Sequence, residues 1–244
     1  MKDLISVVSE NTGTVLAFAG TLALIFVIAY AFERAAMEKN GRSGKMFTVR
    51  KVTVTGMFSA ISAILMLFEF PLPFAPGFYK LDFSEIPAIV GAFAFGPMTG
   101  VMIEFIKLLI KILIKGTSTA FVGELANFAV GCSYILPASV IYGFNKTKKT
   151  AIASCAAGTA VIMVFGSVFN AVYLIPAFSA LYGMPMEAIL HMGAEINPMV
   201  KEGNIVSFCI ACVAPLNLIK GALISVITLA IYKPLSPILK KGST

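Results

Sequence analysis

Seven apolar stretches run along the chain, separated by short polar segments. They lie at about 12–32, 52–69, 85–96, 98–114, 120–143, 151–176 and 205–232. Most approach the ~20 residues that a helix needs to cross a bilayer, and none sustains the alternation typical of a strand. Because an open sheet cannot satisfy its backbone in lipid, the pattern predicts an all-α integral membrane protein with seven crossings, the third of them short.

Composition supports this interpretation. Hydrophobic residues make up 58% of the 244 positions and charged residues 13%, whereas soluble domains have roughly 45–50% and 25%. No remaining segment is long enough to form a separate soluble domain. We therefore expect one membrane domain.

The first crossing has one feature of a cleaved signal peptide, because Ala29, Tyr30 and Ala31 have the small-x-small form of a signal-peptidase site. The preceding segment balances Lys2 against Asp3 and Glu10 and so lacks a positive n-region. The uncharged stretch 11–32 is also long for an h-region. We expect a retained transmembrane anchor.

Basic residues predict the orientation. Three segments on the same side of the predicted membrane carry most of them: Arg34, Lys39, Arg42, Lys45, Arg50 and Lys51, then Lys146, Lys148 and Lys149, and finally Lys233, Lys240 and Lys241. The positive-inside rule makes this side cytoplasmic, with the N-terminus outside and the C-terminus inside. The net charge of +7 then needs no nucleic-acid partner, since it reflects topology and can rest on anionic lipid headgroups.

The last crossing, "CVAPLNLIKGALISVITLAIY", contains Asn217 and Lys220. A lysine near mid-bilayer costs ~2.5–3.5 kcal/mol, and Lys220 lies about 18 Å along the helix from Tyr232, too far to reach the cytoplasmic surface. Only the outer surface is a candidate for snorkelling. Because Asn217 lies three residues earlier, on the same face, we expect both to face a ligand in an outward-opening cavity.

Two further asparagines fit such a cavity. Asn127 in "GELANF" and Asn170 in "GSVFNAVYLIP" lie in the outer parts of their crossings. An amide offers both donor and acceptor to the edge of a flat heterocycle, while aromatic residues hold its faces. The alternative is interhelical hydrogen bonding, which averages only ~0.6 kcal/mol in membrane proteins.

The outer segment 71–87, "PLPFAPGFYKLDFSEIP", combines four prolines with aromatic residues and two carboxylates. Prolines fix backbone dihedrals and lower the entropy lost on ordering. This stretch is predicted to be a lid over the cavity, with an interfacial loop anchored by aromatics as the alternative.

Other chemistry finds little support. Cys209 and Cys212 form a C-x-x-C without a second cysteine pair, His191 is alone, and no metal site or catalytic constellation is expected. Glu104 and Lys107 can pair on one face of the fourth crossing. The protein is not expected to be an enzyme, although a membrane-embedded enzyme and a secondary carrier without an ATPase remain open alternatives.

Four stretches together resemble a known family: "FPLPFAPGFYKLDFSEIPA", "GELANF", "FNAVYLIP" and "PLNLIKG", in family order across about residues 47–241. They are similar to the substrate-binding S components of energy-coupling-factor (ECF) transporters, in particular those specific for riboflavin. The resemblance implies a six-helix S-component bundle over 47–244 that binds riboflavin from outside the cell membrane, preceded here by an N-terminal extension, 1–46, with one extra transmembrane helix and a basic cytoplasmic linker.

The resemblance also implies partners and site residues. The partners are a membrane T protein and two cytoplasmic ATPases, in keeping with a chain that has no phosphate-binding loop: "GRSGKM" at 41–46 has the wrong glycine spacing. Ligand contacts fall on Asn170, Asn217 and Lys220, and on Leu81, Asp82 and Asn127. Docking to the T protein falls on two pairs of small residues, Gly56 with Ala60 and Ser59 with Ala63.

The resemblance leaves several points open. It assigns no role to the extra helix, and the segment 177–204 is expected to be a long loop. No cofactor is expected beyond riboflavin as the transported ligand, and acceptance of flavin mononucleotide stays open. A different vitamin such as thiamine is the alternative ligand.

Overall fold

The computed structural model describes residues 12–41 and 46–240. Several charges used to predict topology, Lys2, Asp3, Glu10, Arg42, Lys45 and Lys241, lie outside these residues, as does most of "GRSGKM". Within the described part, each predicted crossing corresponds to helical structure. The protein is an all-helical membrane protein.

The elements follow one another in this order: α1 (Thr12–Lys39), α2 (Val49–Leu67), β1 (Phe70–Pro71), β2 (Lys80–Leu81), α3 (Glu85–Phe95), α4 (Pro97–Lys115), α5 (Val122–Phe144), α6 (Lys148–Phe169), a π-helical turn π1 (Asn170–Leu174), α7 (Ile175–Tyr182), α8 (Met186–Ile196), α9 (Ile205–Phe208), a second π-helical turn π2 (Cys209–Val213) and α10 (Ala214–Lys240).

Five helical segments of the described chain are long and apolar enough to cross a membrane. They are Val15–Lys39, Val49–Leu67, Val122–Phe144, Lys148–Tyr182 and Ile205–Leu235. The third predicted crossing, α3, is apolar but only 11 residues long, and residues 85–94 are buried. It is therefore a central helix of the bundle rather than a lipid-facing one.

Helix α3 lies against α2, α4, α5 and α10. An aromatic cluster near its C-terminus joins three of these elements, since the ring of Phe93 stacks on that of Tyr142 at 4.4 Å and Tyr232 packs edge-on against both. The Tyr232 hydroxyl donates to the Phe93 carbonyl at 3.0 Å. This end of the bundle is held by packed rings and one hydrogen bond.

The N-terminal helix α1 packs against α4 and α5. Phe18 meets Phe128 edge to face, and Phe26 meets Phe105 in the same way. Much of the remaining surface of α1 is exposed and apolar, as expected of a helix that faces lipid.

A buried ion pair fixes the C-terminal half of α1. Glu33 pairs with Lys51 at the start of α2 and also accepts a hydrogen bond from the Met98 backbone N–H, at 2.9 Å, in the first turn of α4. Gly96 beside it has φ +108°, and a Cβ there would lie 2.5 Å from a Glu33 carboxylate oxygen. Glycine therefore serves both the backbone conformation and the close approach.

Two segments differ from the sequence prediction. The expected long loop 177–204 is wrong, because much of it is helical: α7 continues to Tyr182 and α8 spans Met186–Ile196. The α8 segment buries Ile189, Leu190 and Gly193, a spacing of three to four residues that is typical of a helix. The lid segment takes part in a short antiparallel hairpin in which Phe70 pairs with Leu81 and Pro71 with Lys80.

Candidate ligand-binding site

A cavity of 180 Å³ lies beneath the hairpin, between α5, π1 and α10. Its lining includes four side chains singled out from the sequence, Asn127, Asn170, Asn217 and Lys220. The three predicted asparagines and the lysine thus converge on one space, although the chain segments that carry them are far apart in sequence.

A wider cavity of 820 Å³ adjoins the first. Both are lined by Phe78, Lys80, Gly123, Asn127 and Phe178. Binding sites for small molecules usually measure roughly 300–1,000 Å³ and combine apolar walls with a few polar groups. The two cavities together have this character, since polar and apolar side chains line both of them.

Asn170 lies where α6 passes into the π1 turn. Its Nδ2 donates to the Gly166 carbonyl at 2.7 Å, and its Oδ1 accepts from the Tyr79 hydroxyl at 2.6 Å. Burial raises the pKa of Tyr79 well above its ordinary value, so the hydroxyl remains a donor. The lid is therefore tied to the cavity floor by a Tyr79–Asn170 hydrogen bond.

Asn217 lies one turn beyond the π2 segment and donates from Nδ2 to the Val213 carbonyl at 3.1 Å. It is packed against α6 at Gly166, where a Cβ would lie 2.5 Å from the Asn217 Nδ2. Gly166 thus accepts from one asparagine and makes room for the other. The π turns Asn170–Leu174 and Cys209–Val213 contact each other, and such turns frequently occur at functional sites.

Lys220 is buried and does not stand alone. Its Nζ lies 2.8 Å from Glu85 Oε1 and 3.2 Å from Asp82 Oδ2. The ammonium therefore lines the cavity while two carboxylates compensate its charge. This arrangement offsets part of the penalty that an isolated lysine would have in lipid.

The ion pairs continue deeper into the bundle. Lys107 Nζ donates to Ser84 Oγ at 2.7 Å and lies 3.5 Å from Glu85 Oε1. It also lies 2.7 Å from Glu104 Oε2, an ion-pair distance without the alignment of a hydrogen bond. The predicted pairing of Glu104 with Lys107 is confirmed.

We call these five side chains, Asp82, Glu85, Glu104, Lys107 and Lys220, the outer charge cluster. It contains three carboxyl groups and two ammonium groups. Glu85 Oε2 and both carboxyl oxygens of Glu104 have no hydrogen-bond donor among the described residues. The cluster therefore has more acceptor capacity than its own cations satisfy.

Asp82 belongs to the loop before α3. Burial alone would raise the pKa of its carboxyl group, but the nearby Lys220, then Lys107, and the hydrogen bond with Ser84 lower it to about 2. Asp82 is therefore ionised at neutral pH and remains a fixed negative charge beside Lys220.

Asn127 has a different environment from the other two asparagines. It lines both cavities, and its Oδ1 is buried without a hydrogen-bond partner among the residues that the structure describes. A buried carbonyl oxygen left unpaired costs about 1–3 kcal/mol. A ligand N–H or O–H at this position would remove that cost.

Leu81 is buried in β2 but is not among the described residues that line either cavity. Asp82 lines the wider cavity. Of the predicted ligand contacts, the structure thus brings the three asparagines and Lys220 to one cavity and places Asp82 in the adjoining wider cavity. The Leu81 side chain lines neither.

The predicted docking residues on α2 separate into two faces. Gly56 and Ala60 are exposed, whereas Ser59 and Ala63 are buried inside the chain. The prediction that Ser59 and Ala63 present a docking surface conflicts with this burial, because both side chains face the interior of the bundle. Helix α1 packs on α4 and α5 and leaves the Gly56–Ala60 face open.

Three contributors to the site were not assigned by sequence reasoning: Tyr79, Glu85 and Gly166. Glu85 was visible only as a carboxylate of the lid, and Tyr79 as one of its aromatic residues. Gly166 carried the weakest signal, since a helical glycine between apolar residues is common in membrane helices. Cys209 and Cys212 are buried free thiols, and no group of three or more metal-ligating side chains occurs within the described ranges.

Comparison with known proteins agrees with this architecture. Residues 50–232 match the family model of the ECF transporter substrate-specific component, and the chain belongs to this family. A solved S component of a bacterial ECF transporter superposes with a TM-score of 0.60 at 32% identity, over 78% of this chain and 97% of that one.

Individual relatives are named transporters. The riboflavin transporter FmnP of Bacillus subtilis (strain 168) is 32% identical over 190 residues, covering 78% of this chain and 93% of the relative. The riboflavin transporter RibU of Staphylococcus aureus (strain TCH60) is 32% identical over 203 residues, covering 83% and 99%. The expectation of a transporter subunit rather than an enzyme is confirmed by this kinship.

Proposed function

We propose that this chain captures riboflavin and delivers it for ATP-dependent uptake. The observation that carries the proposal is the convergence of Asn127, Asn170, Asn217 and Lys220 on one cavity beneath the hairpin. Amide groups and an ammonium suit the alternating carbonyl and N–H edge of a flavin, and the riboflavin transporters among the relatives point to the same ligand.

Each polar group has a distinct proposed role. The unpaired Asn127 Oδ1 accepts from the ligand, and Lys220 donates to a ligand carbonyl while Asp82 keeps its charge compensated. Tyr79 and Asn170 hold the lid closed over the ring. Leu81 contributes through the backbone of β2, since its side chain lines neither cavity.

Binding is tested with the purified protein. We expect protein purified from cells grown with riboflavin to show a flavin absorbance spectrum. We also expect the protein stripped of ligand to bind riboflavin tightly when it is titrated with the vitamin. Asn217→Ala and Lys220→Ala should each weaken binding, whereas Asn145→Ala, an exposed amide at the end of α5, should not. Folded, stripped protein that binds thiamine or another vitamin but no flavin would contradict the ligand assignment. Titration with flavin mononucleotide shows whether a phosphate is accepted.

We further propose that the chain works in the cell membrane with a T protein and two ATPases, with its N-terminus outside and its C-terminus cytoplasmic. The proposed domains are the extension 1–46, with its extra helix, and the binding domain 47–244. The exposed Gly56–Ala60 face of α2 is the proposed docking surface, because small residues four apart permit close helix approach.

Transport assays separate this proposal from a solitary carrier. Riboflavin uptake into vesicles should require both the T protein and ATP. Gly56→Leu with Ala60→Leu should abolish co-purification with the T protein and leave flavin binding unchanged. Uptake that persists without ATPases would favour a secondary carrier instead.

A further inference from the structure

A groove runs between α6 and α10 and shares no lining residue with the two cavities of the candidate site. Its volume is 420 Å³, and it is walled by Ile152, Cys155, Ala156, Thr159, Ala160, Met163, Leu218, Ala222, Ser225, Val226 and Leu229. On each helix the wall spans eleven residue steps, or about 16 Å. This is close to half of the ~30 Å hydrocarbon core, the depth of one leaflet.

The surface of the groove is apolar, although two residues with hydroxyl groups line it. Thr159 Oγ1 donates to the Cys155 carbonyl at 3.0 Å, and Ser225 Oγ donates to the Gly221 carbonyl at 2.6 Å. Both hydroxyls therefore bond within the bundle. The small side chains of Ala156 and Ala222, both exposed, create the depression.

A second cavity of 470 Å³ continues the groove at one end. The two share Ile152 and Leu229, and the second is also lined by Lys146, Lys148 and Lys233 beside Tyr142 and Tyr232. Among the described residues that line either cavity, none is acidic. The start of α6 at Lys148 adds the positive end of its helix dipole.

An apolar trough one leaflet deep that ends in a lysine-rich pocket matches one kind of molecule, with a long hydrocarbon chain and an anionic headgroup. We propose that this groove binds an anionic phospholipid. Its acyl chain lies between α6 and α10, and its phosphate is held by Lys148 and Lys233. Basic pockets between transmembrane helices recognise anionic headgroups in this way. Under the proposed orientation, the lipid belongs to the cytoplasmic leaflet.

Native mass spectrometry of the purified full chain tests the proposal. The probes are phosphatidylglycerol and phosphatidylcholine with identical acyl chains. We expect phosphatidylglycerol to bind more tightly, with a loss of about fivefold for Lys148→Gln or Lys233→Gln and about 25-fold for the double variant, since each lysine near a membrane surface contributes ~1 kcal/mol. Lys201→Gln, an exposed lysine of the segment before α9, is the matched control and should change nothing.

Filling the trough tests the acyl-chain site separately. Ala156→Phe and Ala222→Phe should each weaken binding of both lipids, and riboflavin titration shows that the variants remain folded. Equal binding of the two lipids, or an unchanged affinity in the double lysine variant, would overturn the proposal. So would glycerol 3-phosphate competing as well as intact lipid, which would make the pocket a free-phosphate site. A dimer that disappears in Ala156→Phe would assign the groove to a second copy of the chain.

Discussion

Two sets of buried charges lie at opposite ends of α3, and they differ in how completely their charges are matched. Near the C-terminal end, Glu33 is paired one to one with Lys51, and its second oxygen accepts from the Met98 N–H. At the N-terminal end, the outer charge cluster has three carboxyl groups for two ammonium groups and leaves carboxyl oxygens without donors. Glu33 and Lys51 do not line either cavity of the site, whereas Lys220 lines the smaller cavity and Asp82 lines the wider one.

This difference suggests that the Glu33–Lys51 pair serves stability and that the outer charge cluster serves ligand binding. A buried pair whose atoms are all satisfied fixes one arrangement of helices, although it contributes less than its Coulomb energy suggests. A buried cluster with spare acceptors beside a cavity is costly in the empty protein and gains from a ligand that supplies donors. We therefore expect substitutions at Glu33 to change stability, and substitutions at Lys220 to change binding.

The largest effect is expected for Lys220→Met. The change removes the ammonium that is proposed to donate to the ligand, and a hydrogen bond to a charged group contributes about 1.5–3 kcal/mol. Riboflavin affinity should therefore fall by roughly 10- to 100-fold, as measured by quenching of flavin fluorescence. Lys201→Met is the exposed control, and an affinity within twofold of the unaltered protein would contradict the role of Lys220.

The next effect concerns stability alone. Glu33→Ala should lower the free energy of unfolding by roughly 3 kcal/mol, because it leaves Lys51 buried without its partner. The double variant Glu33→Leu with Lys51→Met should recover most of the loss. Unfolding in detergent measures the stability, and flavin titration should show no change. A parallel loss of affinity would mean that the two ends of α3 are coupled.

Lowering the pH should reduce the folding stability that the Asp82 carboxylate of the outer charge cluster contributes. The pKa of Asp82 in the folded protein is lowered to about 2 from an ordinary value near 4. A lowered carboxyl pKa stabilises the fold above the unfolded value, and this contribution is lost as the pH falls from about 4 to about 2. Stability measured against pH should decline in this window, and Asp82→Asn should remove that part of the decline.

The smallest effect is expected for Glu104→Gln. The cluster has one carboxyl group more than it has ammonium groups, so a neutral isostere leaves two carboxylates for two lysines. We expect the free energy of unfolding to change by less than about 1 kcal/mol. Glu85→Gln is the comparison, since Glu85 contacts both Lys107 and Lys220, and it should destabilise clearly more. Equal losses in the two variants would contradict the proposed surplus of charge.

Much of the fold was predictable because lipid demands long apolar helices. Asn217 and Lys220 were predictable as site residues for the same reason, since a polar side chain in such a helix has a cost that a function must offset. The partners of Lys220 were not, because Asp82 and Glu85 lie more than a hundred residues away and nothing local to Lys220 identifies them. The Glu33–Lys51 pair was hidden similarly: Lys51 was interpreted as a topological charge.

Two other features were predicted wrongly from the sequence for local reasons. Helix α8 was interpreted as loop because its charged residues, including Glu187 and Glu195, obscured the spacing of its buried apolar positions. On α2, the pattern of small residues predicted close packing without indicating which pair faces outward, since both pairs have the same spacing. The structure separates them by burial.

The two π turns have a consequence for how such a site changes over generations. A π turn holds i→i+5 hydrogen bonds in place of i→i+4, so removal of one residue from 170–174 or 209–213 would allow an ordinary α-helix to form. Five residues of a π turn cover about the same rotation as four residues of an α-helix, so the flanking helices would keep their alignment while the backbone of the turn itself narrowed beside Asn170 or before Asn217. The loss of one codon can thus reshape the wall of the binding site at the turn, without turning the rest of the helix and with no other amino acid replaced.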